Sequence, residues 1–171
     1  SFDELSVKNS SLALFYFALG LPAFSLIKVF SSFLFARHNT IIPFYFSIIS
    51  VLINVGISLY YFKDIGFIII PIATSISSWI NAFILFLYLN YKNYFFLKFI
   101  LITNLLKIIL VTAVSSYIFY YQITIFSNSL TYDSKYKILF IFFSVIITII
   151  SYIIISIATK AFKLSDIKLK Y

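Results

Sequence analysis

Apolar stretches as long as a lipid bilayer is thick recur along this sequence, and they constrain its fold more than any other feature. A hydrocarbon core about 30 Å thick is crossed by about 20 helical residues at about 1.5 Å each. The stretches that meet this length are residues 11–35, 43–62, 66–89, 97–121 and 138–158. The chain is 63% hydrophobic with a mean hydropathy of +1.07, more apolar than a water-soluble core of this size requires. The sequence therefore predicts a membrane protein whose residues 1–171 form a single membrane segment.

The spanning elements are predicted to be α-helices. Apolar stretches such as residues 140–150 show neither the regular alternation nor the closely spaced turns of a transmembrane β-barrel. A helix satisfies its own backbone hydrogen bonds in lipid, where no water is available to do so. The predicted fold class is all-α, a polytopic membrane protein with five transmembrane helices.

The composition also limits the chemistry that this chain can support. Cysteine is absent and histidine occurs once, which leaves no thiolate nucleophile and no cysteine or histidine cluster for a metal. There is no glycine-rich phosphate-binding loop and no Ser/His/Asp set, so we do not expect an enzyme. The chain opens on "SFDEL" without methionine, and we expect it to be the C-terminal piece of a longer protein.

The basic residues predict an orientation, because cytoplasmic loops retain lysine and arginine. One set of loops carries Lys8, Lys63, Lys135 and Lys137. The other set, which includes the tail 159–171, carries Arg37, Lys92, Lys98, Lys160, Lys163, Lys168 and Lys170. The second set is richer, so the residue 1 side is predicted to be periplasmic and the C-terminus cytoplasmic. The tail is expected to lie along the anionic leaflet. These charges are spread among loops rather than gathered on one face, which argues against nucleic-acid binding.

A polar interruption, "FARHNTIIP" at residues 35–43, separates the first two predicted spans. Pro43 stands where a helix tolerates proline, in its first turn. We therefore expect a tight cytoplasmic turn. Arg37 is expected to be a headgroup-level anchor at the end of the first helix.

Two polar stripes lie inside adjacent spans. The stripe in the second span consists of Ser47, Ser50, Asn54 and Ser58. The stripe in the third span consists of Thr74, Ser77, Ser78 and Asn81. Spacings of three and four residues place each set on one helical face. A short turn at Lys63 and Asp64 makes the two helices antiparallel neighbours, so the stripes can meet. The stripes can serve as a packing surface, or their oxygens can contribute ligands to a monovalent cation, with Pro71 freeing backbone carbonyls near Phe67.

Two lysines lie within spans, where a charge at the helix centre costs about 2.5 to 3.5 kcal/mol on insertion scales. Lys28 is nine residues before Arg37, and Lys107 is ten residues after Leu97. Both can extend toward the membrane surface or pair between helices. The alternative for both is a role facing a transported substrate.

The block from "ALGLPAFSLIKVF" through "FARHNTIIP" to "GFIIIPIATSISSWINAF" resembles the MurJ/MviN lipid II flippase family of the multidrug/oligosaccharidyl-lipid/polysaccharide (MOP) exporter superfamily, whose fold is MATE-like. The likeness centres on residues 11–90. It implies that the five spans correspond to helices 10 to 14, part of a C-terminal lobe that packs with N-terminal helices of the same chain. It also implies alternating access that carries the lipid-linked peptidoglycan precursor across the bacterial inner membrane.

The resemblance further implies roles for particular residues. A sodium site in the C-terminal lobe would use Asn54, Ser58, the carbonyl of Ile70, and Thr74, while no other cofactor is implied. Ser58 stands where the family has a carboxylate or amide, and a further carboxylate would come from a helix that precedes this chain. Lys28, Arg37 and Lys107 would contact substrate or form the gate. The last two spans would form a hydrophobic groove for the polyprenyl tail.

Two other functions remain open at this stage. One is a different exporter of the same superfamily, for another polyprenyl-linked oligosaccharide or for a drug exchanged against a cation. The other is a non-transporting membrane scaffold, for which substitution of Asn54, Thr74 or Lys107 should impair assembly rather than transport.

Overall fold

The computed structural model describes residues 4–94, 99–130, 134 and 136–161. The helices, in chain order, are α1 (Glu4–Ala36), α2 (Ile41–Ile65), α3 (Ile69–Tyr91), α4 (Phe99–Ile125) and α5 (Lys137–Ala158). Strands are absent from these parts of the chain, so the predicted all-α class is confirmed. The predicted positions of Lys98, Lys135 and residues 162–171 of the basic tail lie outside the described residues.

Four helical segments of the described chain are long and apolar enough to cross a membrane. They are Leu5–Ala36, Ile41–Tyr91, Ile102–Ile125 and Lys137–Ala158. The second contains both α2 and α3, separated by a 3₁₀ turn at Gly66–Ile68, and so covers the second and third predicted spans. The prediction of a polytopic helical membrane protein is confirmed.

The turn between α1 and α2 is as short as the sequence predicts. Helix α1 ends at Ala36 and α2 begins at Ile41, with Pro43 buried in the first turn of α2. His38 has a positive φ of 58°, and its N–H donates to the carbonyl of Phe35, so the end of α1 is capped by its own backbone.

The reversal between α2 and α3 comes later than the sequence suggests. Lys63 and Asp64, which were expected to form the turn, belong to the last turn of α2. The chain turns at Gly66, whose φ of 71° and ψ of −152° are essentially restricted to glycine. The prediction of a turn at Lys63 and Asp64 was wrong because the backbone freedom of glycine, and not the pair of charges, ends the helix.

The described residues divide into two compact units, the first extending to Tyr94 and the second starting at Phe99. In the first unit α3 packs against both α1 and α2. The α2–α3 contacts pair Asn54 with Thr74 and Ser50 with Ser77, so one residue number rises as the other falls. Helices α2 and α3 are therefore antiparallel, as predicted.

Helices α1 and α3 are parallel. The Trp79 indole Nε1 donates to the carbonyl of Leu19 at 3.0 Å, and the rings of Phe30 and Phe86 lie 6.3 Å apart farther along both helices. A buried apolar core lies near the second contact and contains Phe30, Leu34, Leu85 and Leu89. This core holds the three helices together at the end where α1 and α3 finish.

Helices α1 and α3 approach each other closely at Gly20. The hydroxyl of Ser75 donates to the carbonyl of Tyr16, and a Cβ atom on Gly20 would lie 2.8 Å from that hydroxyl oxygen. Pro22 lies inside α1 two residues after Gly20, and it cannot donate a hydrogen bond to the carbonyl of Ala18. Side chains of α3 thus bind carbonyls of α1 where proline weakens that helix.

Helices α4 and α5 form the second unit and are antiparallel. The rings of Phe126 and Phe140 lie 5.1 Å apart where the chain reverses. Buried hydroxyl-bearing and apolar side chains lie along both helices, namely Val111, Ser115, Ser144 and Ser156. Such small residues allow membrane helices to pack closely.

Candidate functional site

Asn54 of α2 is hydrogen-bonded across the helix boundary to α3. Its Nδ2 donates to Thr74 Oγ1 at 3.0 Å and to Ser77 Oγ at 3.3 Å. The hydroxyl of Ser50 donates to the backbone carbonyl of Ser77 at 2.9 Å. The predicted meeting of the two polar stripes is confirmed at these positions. We call this set the α2–α3 seam, and its residues are Ser50, Asn54, Ser58, Ile70, Thr74, Ser77 and Ser78.

The seam is largely removed from the surface of its unit. Ser77 and Ser78 are buried, and Asn54, Ser58 and Thr74 are half-buried. An amide in an apolar span needs a partner inside the protein, because the lipid offers none. The spacing along α2 and α3 supplies those partners by aligning the two polar faces of an antiparallel pair.

The residues predicted as cation ligands are all in the seam. Ser58 Oγ donates to Asn54 Oδ1 at 3.5 Å, and Thr74 Oγ1 donates to the carbonyl of Ile70 at 2.8 Å. With the bond from Asn54 to Thr74, the four residues form one connected set. Their role as ligands of a cation stays a prediction.

The proline expected to interrupt the third span lies at its edge instead. Helix α3 begins at Ile69, so Pro71 is in its first turn, where a missing N–H does not break a helical bond. The carbonyl of Phe67 lies in the 3₁₀ turn and is contacted by the N–H of Ile69. The expectation that Pro71 frees carbonyls within a helix was wrong, because α3 starts later than the predicted span.

The stripes do not meet along their full length. Ser47 is exposed, and its hydroxyl donates to the carbonyl of Pro43 in its own helix at 2.8 Å. Asn81 is 5% exposed, and its Oδ1 has no hydrogen-bond partner among the residues that the structure describes. The hydrogen bonds between α2 and α3 are therefore made by Ser50 and Asn54 of α2.

Arg37 is held by aromatic rings. Its guanidinium carbon lies 4.1 Å from the ring centre of Tyr94 and 4.9 Å from that of Phe33. A guanidinium over a ring face is attracted by the negative face of the π system. These contacts fix the start of the α1–α2 turn against the residues that follow α3.

A second contact ties the same turn to α3, and sequence reasoning missed it. Asn39 Nδ2 donates to the hydroxyl of Tyr88 at 3.5 Å, while Asn39 Oδ1 accepts the N–H of Ile42 at 3.3 Å. The ring of Phe46 packs edge-on against Tyr88. The sequence gives no signal for this contact, because no periodic pattern marks Tyr88 or Tyr94 as partners of the turn.

The two lysines within spans differ in their surroundings. Lys28 is exposed on α1, and Lys107 is half-buried on α4, in the other unit. Neither residue is part of the α2–α3 seam. Their role toward a substrate stays a prediction.

A groove of about 360 Å³ lies between helices α4 and α5 and is open to the surface of their unit. Its lining residues include Thr112, Ser115, Ser116, Thr148 and Tyr152, with Phe119 and Ile149. The resemblance implies a hydrophobic groove at this place, and the groove found here carries several hydroxyl-bearing side chains. The hydroxyls of Thr112 and Thr148 donate to carbonyls of their own helices, so the walls present mainly carbon.

Comparison with known proteins identifies a family. The model of the family described as lipid II flippase MurJ matches residues 1–141. Within the described residues, no group of three or more histidine, cysteine or acidic side chains is placed to hold a metal ion. No solved structure matches the chain significantly.

Curated relatives match a little over half of the chain. A probable lipid II flippase MurJ of Rhizobium meliloti (strain 1021) is 35% identical over 98 residues, which are 57% of this chain and 18% of the relative. A protein of the same description from Rickettsia prowazekii (strain Madrid E) is 33% identical over 87 residues, 51% of this chain and 17% of the relative. The matches thus span less than a fifth of either relative. Because the family model covers most of a chain whose described residues form apolar helices long enough to cross a membrane, the chain belongs to the lipid II flippase MurJ family.

Proposed function

We propose that this chain is the C-terminal part of a lipid II flippase that works by alternating access in the bacterial inner membrane. The observation that carries the proposal is the family match over residues 1–141. The membrane-spanning helices support it, and so does a polar seam that faces the interior of the first unit. The N-terminal helices of the complete protein, the lipid-linked precursor and the surrounding lipids are the partners in this proposal.

The seam suggests how this part of the chain contributes to transport. Alternating access moves groups of helices as bodies around a central site. Bonds from Asn54 and Ser50 to α3 make α2 and α3 one such body. Lys28 and Lys107 supply cations for the phosphate groups of the substrate, and Arg37 secures the gate at the cytoplasmic end. No covalent bond changes in this process, so the activity is transport and not catalysis.

The proposal is tested by complementation with the complete protein. The Asn54→Leu variant removes the donor to Thr74 and Ser77, and we expect it to accumulate in the membrane but fail to rescue a flippase-depleted cell. Ser47→Ala is the matched control, because the Ser47 hydroxyl donates to the carbonyl of Pro43 in its own helix. It should rescue fully.

Other outcomes would contradict the proposal in different ways. Rescue by Asn54→Leu at normal protein levels would mean that the seam only packs the helices. Failure of the unchanged protein to rescue would point to another exporter of the superfamily or to a scaffold.

A further inference from the structure

Each hydroxyl proton on the α3 side of the seam has a definite acceptor. The Thr74 hydroxyl donates to the carbonyl of Ile70 at 2.8 Å, and the Ser77 hydroxyl donates to the carbonyl of Thr74 at 3.1 Å. A hydroxyl has one proton and two acceptor lone pairs. The oxygens that face Asn54 therefore act only as acceptors.

This arrangement fixes the orientation of the Asn54 amide. Its two N–H groups have two acceptors, Thr74 Oγ1 and Ser77 Oγ, and its Oδ1 accepts the proton of Ser58. In the reverse orientation the amide oxygen would face two oxygens whose protons point elsewhere, and those contacts would be repulsive. Every side-chain N–H and O–H group of Asn54, Ser58, Thr74 and Ser77 thus donates to an acceptor within the seam.

The same residues do not fit the sodium site that the family resemblance implies. Hard cations are bound by converging oxygen lone pairs, often from carboxylates. Asn54 instead presents N–H groups toward Thr74, and the carbonyl of Ile70 already accepts the Thr74 proton. Ser58 stands where a carboxylate or amide is expected, so the set from this chain has no negative charge.

We propose that Asn54, Thr74 and Ser77 form a hydrogen-bonded lock between α2 and α3 rather than a sodium site. Transport by the complete protein, which rests on the function proposed above, is then independent of Na⁺. Asn54 is a positioning residue in this scheme: its N–H groups hold two helices in register, and no ion is needed to complete the seam.

Ion binding is tested first without any transport assay. The thermal unfolding midpoint of the purified complete protein is measured in NaCl and in KCl at equal ionic strength. An ion raises the midpoint only if it binds the folded state more tightly than the unfolded state. We expect equal midpoints, because the lock does not bind Na⁺. A rise with NaCl that KCl does not produce would overturn the proposal.

An isosteric variant tests the role of the amide donor. Asn54→Asp replaces the N–H groups by a carboxyl oxygen facing Thr74 and Ser77, so we expect a lower midpoint in KCl. We also expect a midpoint that now rises with NaCl, because a carboxylate joins the hydroxyl oxygens. Ser47→Ala should match the unchanged protein in both salts. An Asn54→Asp variant as stable as the unchanged protein in KCl would show that the donors are not needed.

A transport measurement separates this inference from the proposed function. Translocation of the lipid-linked precursor in proteoliposomes should proceed at the same rate with K⁺ alone as with Na⁺. Loss of translocation only when Na⁺ is omitted overturns the lock. Absence of translocation in both salts overturns the proposed function, while the salt dependence of the midpoint still decides between the lock and the ion site.

Discussion

Asn54 and Arg37 illustrate two ways in which a polar side chain is accommodated among apolar helices. Asn54 directs its amide protons at hydroxyl oxygens of the neighbouring helix. Arg37 instead lies over the rings of Phe33 and Tyr94, which offer a negative face without a carboxylate. Both solutions join two elements, so loss of either side chain should loosen a helix contact.

The ring of Tyr94 is predicted to contribute to stability through Arg37. Replacement by leucine removes the π face and should lower the free energy of unfolding by about 1 kcal/mol, the scale of a partly exposed cation–π contact. Tyr94→Phe keeps the ring and should leave the free energy unchanged. Unfolding of the complete protein in mixed detergent micelles measures both. Equal losses in the two variants would mean that the tyrosine hydroxyl, and not the ring, carries the contact.

At this scale the sequence predicts only contacts that follow a helical period. The meeting of Asn54 with Thr74 is predictable, because both belong to stripes on helices joined by a short turn. The contacts of Arg37 with Tyr94 and of Asn39 with Tyr88 join residues 57 and 49 positions apart. They depend on where the end of α3 lies in three dimensions, which no local pattern reveals.

Among the elements, helices α1 and α3 pack closely where Gly20 faces Ser75. Lack of a side chain at this position lets the Ser75 hydroxyl reach a carbonyl of α1. Interhelical packing in membranes relies on such small residues, since burial of apolar surface gives no net drive between helices in lipid.

Two glycine substitutions should separate packing from helix propensity. Gly20→Ala places a Cβ atom 2.8 Å from Ser75 Oγ and 3.3 Å from Ser75 Cα, so we expect a loss of about 1 to 3 kcal/mol in unfolding free energy from overpacking. Gly56→Ala meets nothing within 4 Å and should instead stabilise α2 by about 0.5 to 1 kcal/mol. Unfolding in mixed micelles measures both variants. A stabilised Gly20→Ala variant would show that α1 and α3 are not in close contact there.

The helices are predictable from the sequence because each apolar run is about as long as the membrane is thick. The end of α2 was harder to predict. Lys63 and Asp64 look like a turn by polarity, but charged residues near the membrane surface continue a helix readily, and the backbone of Gly66 decides where it stops. The close contact at Gly20 was not predicted either, because a single glycine within a helical sequence does not indicate which helix packs against it.

At the scale of the whole molecule, charge gives a clue to orientation, and within the first unit it is distributed unevenly between the two ends. In the first unit, Arg37, His38 and Lys92 lie at the end where α1 and α3 finish and α2 begins, and Lys63 and Asp64 lie at the opposite end. The described residues at the first end include no acidic side chain. From the positive-inside rule we predict that this end is the cytoplasmic one.

Orientation is testable with single cysteines, since the chain has none of its own. In the complete protein freed of other cysteines, His38→Cys should react with an impermeant maleimide only when the cytoplasmic face is open to the reagent. Lys63→Cys, the matched control, should react from the outside of intact cells. The reverse pattern would invert the topology.

The bond between the Trp79 indole and the carbonyl of Leu19 has a practical consequence. This residue is the one tryptophan in the sequence, and its half-exposed ring reports on its surroundings through ultraviolet fluorescence. Separation of α1 from α3 would break this hydrogen bond and shift the wavelength of the tryptophan emission maximum. The chain therefore carries its own optical probe, and a spectroscopist can follow this helix pair in real time without attaching a dye.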